Sequence, residues 1–63
     1  MKPGDTVIVT ADTEDNGCQG VVRGDASIAI GRRVYTYWIV TFSDGHEGAY
    51  EERELRVVEA GRG

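Results

Sequence analysis

The stretch that decides the fold is YTYWIVTF at residues 35–42, followed by SDG at residues 43–45. It contains four of the five aromatic residues of the chain, with β-branched residues between them. Aromatic and β-branched residues favour strands, and an Asp-Gly pair after such a run is a strong signal for a hairpin turn. We therefore predict that residues 35–42 form the central strand of an antiparallel sheet.

Two strands are predicted before this central strand. The first covers residues 6–11, TVIVTA, of which five are β-branched. The second begins near Cys18 and is interrupted by the Gly-Asp pair at 24–25. We expect residues 18–42 to form one long, bulged hairpin whose tip, near Gly31, projects from the body.

Two shorter strands are predicted after the Asp-Gly turn, at residues 46–50 and 55–58. Between them, residues 51–54 (EERE) resemble a single helical or 3₁₀ turn. The fold class is therefore all-β, with five strands in a small barrel, a long hairpin between strands 2 and 3, and a short turn before the last strand. Residues 3–58 form this single domain, and residues 59–63 are expected to be a flexible tail, since they have no apolar anchor.

Alternation along the strands predicts one core face. It takes apolar residues from the first three strands, namely Val7, Val9, Val22, Trp38, Val40 and Phe42. Cys18 and Gly20 would share the face of Val22, so we expect a packed thiol at Cys18 and a bend at Gly20.

The opposite face carries the candidate site. Ile8, Val21, Tyr37 and Ile39 would point outward from three neighbouring strands as one exposed apolar patch. Contiguous exposed patches usually mark interaction surfaces. The alternative is that segment 24–33 folds back and covers the patch.

Composition narrows the classes of function. With a formal net charge of −4, the chain lacks the basic surface that most nucleic-acid binders have. Arg32 and Arg33 form its only basic pair. A single cysteine allows no internal disulfide, which favours the cytoplasm. No apolar run approaches the ~20 residues needed to span a bilayer, so we expect no membrane association.

The chain also lacks the parts of a catalytic or metal site. Its single histidine and single cysteine do not assemble a nucleophile, a base and an orienting group. His46 and Glu47 are too few ligands for a metal ion. Residues 12–17 (DTEDNG) are expected to be a solvated acidic turn. We therefore predict no catalytic residue, no metal and no cofactor.

The order of several motifs resembles SH3-like small barrels of the KOW and Tudor kind. These motifs are PGDTVIV at 3–9, GCQGVV at 17–22, YWIVTFSDG at 37–45 and ERELRVV at 52–58, with Tyr50 before the last. Many unrelated functions use such a fold. A KOW-like chain would contact RNA or the ribosome, and the glycine typical of that motif corresponds to Gly20.

Two further resemblances imply other functions. A Tudor-like chain would bind methylated Lys or Arg in an aromatic cage, but alternation separates Tyr35 and Tyr37 from Trp38 and Phe42. The plasmid-borne type II dihydrofolate reductase is similar at Gly4-Asp5-x-Val7, Gln19-Gly20-x-Val22 and Glu54-Leu55. Of that enzyme's Val-Gln-Ile-Tyr ligand-binding run, residues 47–50 keep only the tyrosine.

The function that these observations favour is a non-enzymatic protein-interaction module of bacterial or phage origin. Its partner would be another cytoplasmic protein or a second copy, bound through Ile8, Val21, Tyr37 and Ile39. The alternative is a KOW-like nucleic-acid or ribosome contact through Arg32, Arg33 and Tyr35. A small-barrel reductase is the remote alternative.

Overall fold

A computed structural model describes residues 1–61 as one five-stranded antiparallel sheet with a single 3₁₀ turn. The strands are β1 (Thr6–Val9), β2 (Gln19–Ile30), β3 (Arg33–Phe42), β4 (Glu47–Tyr50) and β5 (Leu55–Glu59), and the turn covers Glu52–Glu54. The predicted all-β chain with five strands and a turn before the last strand is confirmed. Within residues 1–61, no helix is long and apolar enough to cross a membrane.

The sheet has the strand order β4-β3-β2-β1-β5. Hairpins connect β2 to β3 and β3 to β4, and their turns contain Gly31 and Gly45, both with positive φ. The chain then passes through the 3₁₀ turn, so that β5 pairs with β1 at the other end of the sheet. The predicted long β2–β3 hairpin is confirmed.

One face of the sheet carries the core. Its buried apolar residues are Val7, Val9, Val22, Val40, Phe42, Tyr50 and Leu55, and the half-buried Trp38 packs against them. The predicted core register is therefore confirmed. Tyr50 and Leu55 complete the core from the last two strands.

Cys18 is exposed, so the predicted buried thiol is wrong. Gly20 and Val22 are buried, as alternation requires, but β2 begins only at Gln19. Cys18 lies between the turn at residues 14–17 and β2, and its backbone N–H donates to Asp15 O at 2.8 Å. Strand alternation does not apply to a residue outside the strand, and for this reason the prediction failed there.

The second strand continues through the Gly-Asp pair at 24–25 as a bulge. Val22 pairs with Val40 and Gly24 with Ile39, so Arg23 is the extra residue. Segment 24–30 then runs beside β3 as far as the tip and does not fold back over the sheet. The alternative in which this segment covers the predicted patch is therefore wrong.

The end of the chain differs from the predicted boundary at residue 58. Glu59 belongs to β5, and the backbone N–H of Gly61 donates to Asp5 Oδ1 at 2.7 Å. The buried Asp5 carboxylate also accepts from the backbone N–H of Lys2 at 3.0 Å, and these hydrogen bonds lower its pKa. The remainder of the predicted tail, residues 62–63, lies outside the described residues.

Candidate protein-interaction surface

The face of the sheet opposite the core, here called the outer face, follows from the strand register. Val40 and Phe42 point into the core, so Tyr37, Ile39 and Thr41 lie on the outer face of β3. Residues paired across strands share a face. The outer face therefore also carries Val21 and Glu47 beside Thr41, Ala49 beside Ile39, and Ala26 beside Tyr37.

The structure places all four predicted patch residues on this outer face. Val21 is 41% exposed, and Ile8, Tyr37 and Ile39 are half-buried. Val21 lies between Thr6 of β1 and Thr41 of β3, and Ile8 is two residues along from Thr6. The four side chains therefore belong to one surface that crosses β1, β2 and β3.

The outer face extends along a two-stranded segment, residues 26–37, here called the arm. Its five residue pairs, from Ala26–Tyr37 to Ile30–Arg33, have no third strand beside them within the described chain. Ile28 is 50% exposed and Ile30 is 63% exposed, and both lie on the outer face through their pairing with Tyr35 and Arg33. Sequence reasoning missed these two isoleucines.

The bulge explains why they were missed. Counting every second residue from Val22 puts Ile28 and Ile30 on the core side of β2. The extra residue at Arg23 moves all later residues of β2 to the other face. The isolated glycine at position 24 was the signal that could have revealed this change.

A hollow of about 740 Å³ adjoins the outer face at the end far from the arm tip. Val21 and Thr41 contribute to its lining, as do Cys18 and His46. The surface is therefore not flat but offers a depression into which a partner's side chain can fit.

Charges are divided unevenly along this face. Arg32 and Arg33 lie exposed at the arm tip, and Tyr35 is half-buried beside them. The arm contains no acidic residue and therefore has a formal charge of +2. Because the net charge of the whole chain is −4, the residues outside the arm together have a charge of −6. Glu47, at the opposite end of the face, is exposed and accepts a hydrogen bond from Thr41 Oγ1 at 3.2 Å.

A cluster around His46 borders the hollow. His46 Nε2 lies 3.1 Å from Asp15 Oδ1, and Nδ1 contacts Asp44 Oδ1. The imidazole ring stacks on Phe42 with centroids 4.5 Å apart. Tyr50 donates its hydroxyl to Asp15 Oδ2 at 2.5 Å. The acidic turn at 12–17 is therefore attached to the β3–β4 hairpin and not simply solvated.

Hydrogen bonds set the ionisation of this cluster. The hydrogen bond to Asp44, and to a smaller extent the one to Asp15, raise the pKa of His46 above 6.5. The Tyr50 hydroxyl, followed by His46, lowers the pKa of Asp15, and bonds to His46 lower that of Asp44. The pKa of Tyr50 is raised, chiefly by burial. The two carboxylates thus favour the protonated form of the histidine.

This arrangement is unsuited to nucleophilic catalysis at Cys18. Both ring nitrogens of His46 are engaged by carboxylates, whereas a general base needs a free nitrogen facing the thiol. Within residues 1–61, no group of three or more His, Cys, Asp or Glu side chains is placed to hold a metal ion. Because the cluster joins the loop at residues 12–17 to the β3–β4 hairpin through hydrogen bonds of Asp15 to His46 and Tyr50, we call it the electrostatic clamp.

No family model, curated protein or solved structure matches this chain. The SH3-like, KOW and Tudor resemblances thus remain expectations drawn from motifs. The register separates Tyr35 and Tyr37, on the outer face, from Trp38 and Phe42, on the core side. An aromatic cage built from all four is not formed.

Proposed function

We propose that this chain is a non-enzymatic protein-interaction module of a bacterial or phage cytoplasm that binds through its outer face. The observation that carries the proposal is the row of large apolar side chains there, of which Val21, Ile28 and Ile30 are exposed and Tyr37 and Ile39 are half-buried. It runs from Val21 through Ile39 and Tyr37 to Ile28 and Ile30 on the arm. A continuous apolar row of this kind is typical of an interface.

The energetics favour covering this row. Removing apolar surface from water gains about 25 cal/mol per Å², and the entropy lost on association offsets part of that gain. Two tyrosines, Tyr35 and Tyr37, lie within the row, and tyrosine is enriched at binding hot spots. Charged residues border the row at both ends, as a polar rim borders most interfaces.

The arm gives a second reason for a partner. An isolated two-stranded hairpin is marginally stable in water, and residues 26–37 form such a hairpin beyond the body of the sheet. Contact along its outer face would hold it in place.

Replacing Ile39 with Lys tests the proposal. The variant puts a charge in the middle of the apolar row, so it should keep its fold and lose association with the partner. Val34→Lys is the matched control, because Val34 is 69% exposed on the other face of the arm. Association is measured by sedimentation, of the protein alone and after incubation with extract of the source cell.

The two variants together decide the outcome. Loss of association in Ile39→Lys but not in Val34→Lys supports the outer face, provided that both have the far-ultraviolet spectrum of the wild type. Normal association of a folded Ile39→Lys variant would show that the outer face is not the interface.

Contact with nucleic acid or the ribosome is the second candidate. It is favoured by the exposed Arg32 and Arg33 at the arm tip, for which no salt bridge is formed within the described residues. The test is a mobility shift with RNA or DNA at two salt concentrations, because phosphate contacts weaken steeply with salt. A shift that disappears in the Arg32→Ala/Arg33→Ala double variant would favour this candidate.

A further inference from the structure

The outer face of β3 has a midpoint at Tyr37. Residues 33, 35, 37, 39 and 41 alternate onto this face. Arg33 and Thr41 lie four residues on either side of Tyr37, or roughly 13 Å at the usual rise per residue. Two copies can be placed with their outer faces together and related by a two-fold axis that lies between the faces, perpendicular to the strands, at Tyr37. This axis would place Arg33 of one copy over Thr41 of the other.

The charges match in this arrangement. Glu47 lies beside Thr41 and forms no salt bridge within the described residues. Arg33 of each arm tip would therefore lie near Glu47 of the other copy, and the two-fold symmetry would form this pair twice. A parallel arrangement would instead bring the two basic tips together.

The shapes match as well. Ile28 pairs with Tyr35, and it would lie over Gly24 of the other copy, where a Cβ would meet no atom within 4 Å. Ile30 pairs with Arg33 and would lie over Val21, which lines the hollow. Ile28 would thus fill the open place at Gly24, and Ile30 would pack against Val21 at the edge of the hollow.

We propose that the partner of the outer face is a second copy of this chain, packed face to face with the two arms antiparallel; this inference rests on the proposed function. Two sheets packed in this way keep their strands within about 30° of each other and about 10 Å apart. Ile8 lies beyond the arm tip of the other copy and outside the contact. An ordinary interface needs about 800 Å² from each partner, which is under a fifth of the accessible surface of 4477 Å².

A charge exchange tests the arrangement. Sedimentation equilibrium should show a wild-type dimer, and Arg33→Glu and Glu47→Arg should each raise its dissociation constant at least tenfold. The double variant should return to within about threefold of the wild type, because the pair is reformed with the opposite polarity. Glu14→Arg is the control for Glu47→Arg: it changes the net charge equally at an exposed loop position and should leave the dimer unchanged.

The other outcomes separate the two proposals. A double variant as weak as the weaker single variant would overturn the antiparallel arrangement, while sensitivity to Ile39→Lys would still support the outer face. A wild type that is monomeric at millimolar concentration would overturn the second copy as partner; the proposed function would then stand only if Ile39→Lys abolished capture of another protein. A dimer that persists in Ile39→Lys would overturn both proposals.

Discussion

Gly20 shows how closely β2 and β3 approach over the core. A Cβ at this position would lie 2.5 Å from Val40 Cγ1 and 2.8 Å from the Thr41 carbonyl oxygen. The backbone oxygen cannot move without disturbing the ladder between the two strands. The sequence indicated a glycine at a bend, but the register shift lies three residues later, and what Gly20 supplies is space.

Replacing Gly20 with Ala should therefore destabilise the fold by about 1–3 kcal/mol, the usual cost of overpacking a core. Urea denaturation at micromolar protein concentration measures this difference. Gly24→Ala is the control, because its new methyl group would meet no atom within 4 Å, and it should change stability by less than about 0.5 kcal/mol. Equal stabilities for the two variants would contradict the close approach at Gly20.

At the scale of the elements, the β3–β4 hairpin was predictable and its attachment to the acidic turn was not. The Asp-Gly pair and the alternating apolar residues are local signals, so sequence alone placed the hairpin correctly. Asp15 bonds to His46 and Tyr50, which are 31 and 35 residues away. No pattern in residues 12–17 reports such distant partners, and composition alone indicated solvent exposure.

The clamp makes the stability of the fold depend on pH. Because the pKa of His46 is raised above 6.5 by Asp44 and Asp15, its contribution is complete below pH 6.5 and is lost as pH rises through the raised value. Asp15 and Asp44 have pKa values lowered from 3.8, so their contributions are present above pH 3.8 and are lost as pH falls through the lowered values. The clamp is strongest between these limits.

Thermal denaturation of the wild type and of His46→Gln between pH 5 and pH 9 tests this direction. The wild type should have the higher Tm at pH 5, and the difference should shrink as pH rises. Amide exchange at residues 12–17 should be faster in the variant at pH 5, because the loop loses its attachment. A difference in Tm that is constant across this range would show that the charge of His46 does not hold the loop.

For the molecule as a whole, sequence alternation located most of the outer face but not its full extent. Ile8, Val21, Tyr37 and Ile39 come from segments in which strict alternation holds, and it placed them correctly. One extra residue in β2 reverses the faces of all the residues that follow; the glycine at position 24 indicates a bulge, but only the pairing with β3 shows that Arg23 is the extra residue. The outer face of the arm could therefore be assigned to the site only from the pairing of β2 with β3.

The proposed dimer links the stability of the molecule to its concentration. When folded copies associate and unfolded chains do not, each tenfold rise in concentration stabilises each chain by about 0.7 kcal/mol, half the 1.4 kcal/mol of a tenfold change in equilibrium constant. For a domain of this size the Tm should then rise by roughly 3–6 °C per tenfold step. Calorimetry over two decades of concentration measures the slope. Ile39→Lys should have the same Tm at every concentration because it remains monomeric. A wild-type Tm that is independent of concentration would show that folding and self-association are not coupled.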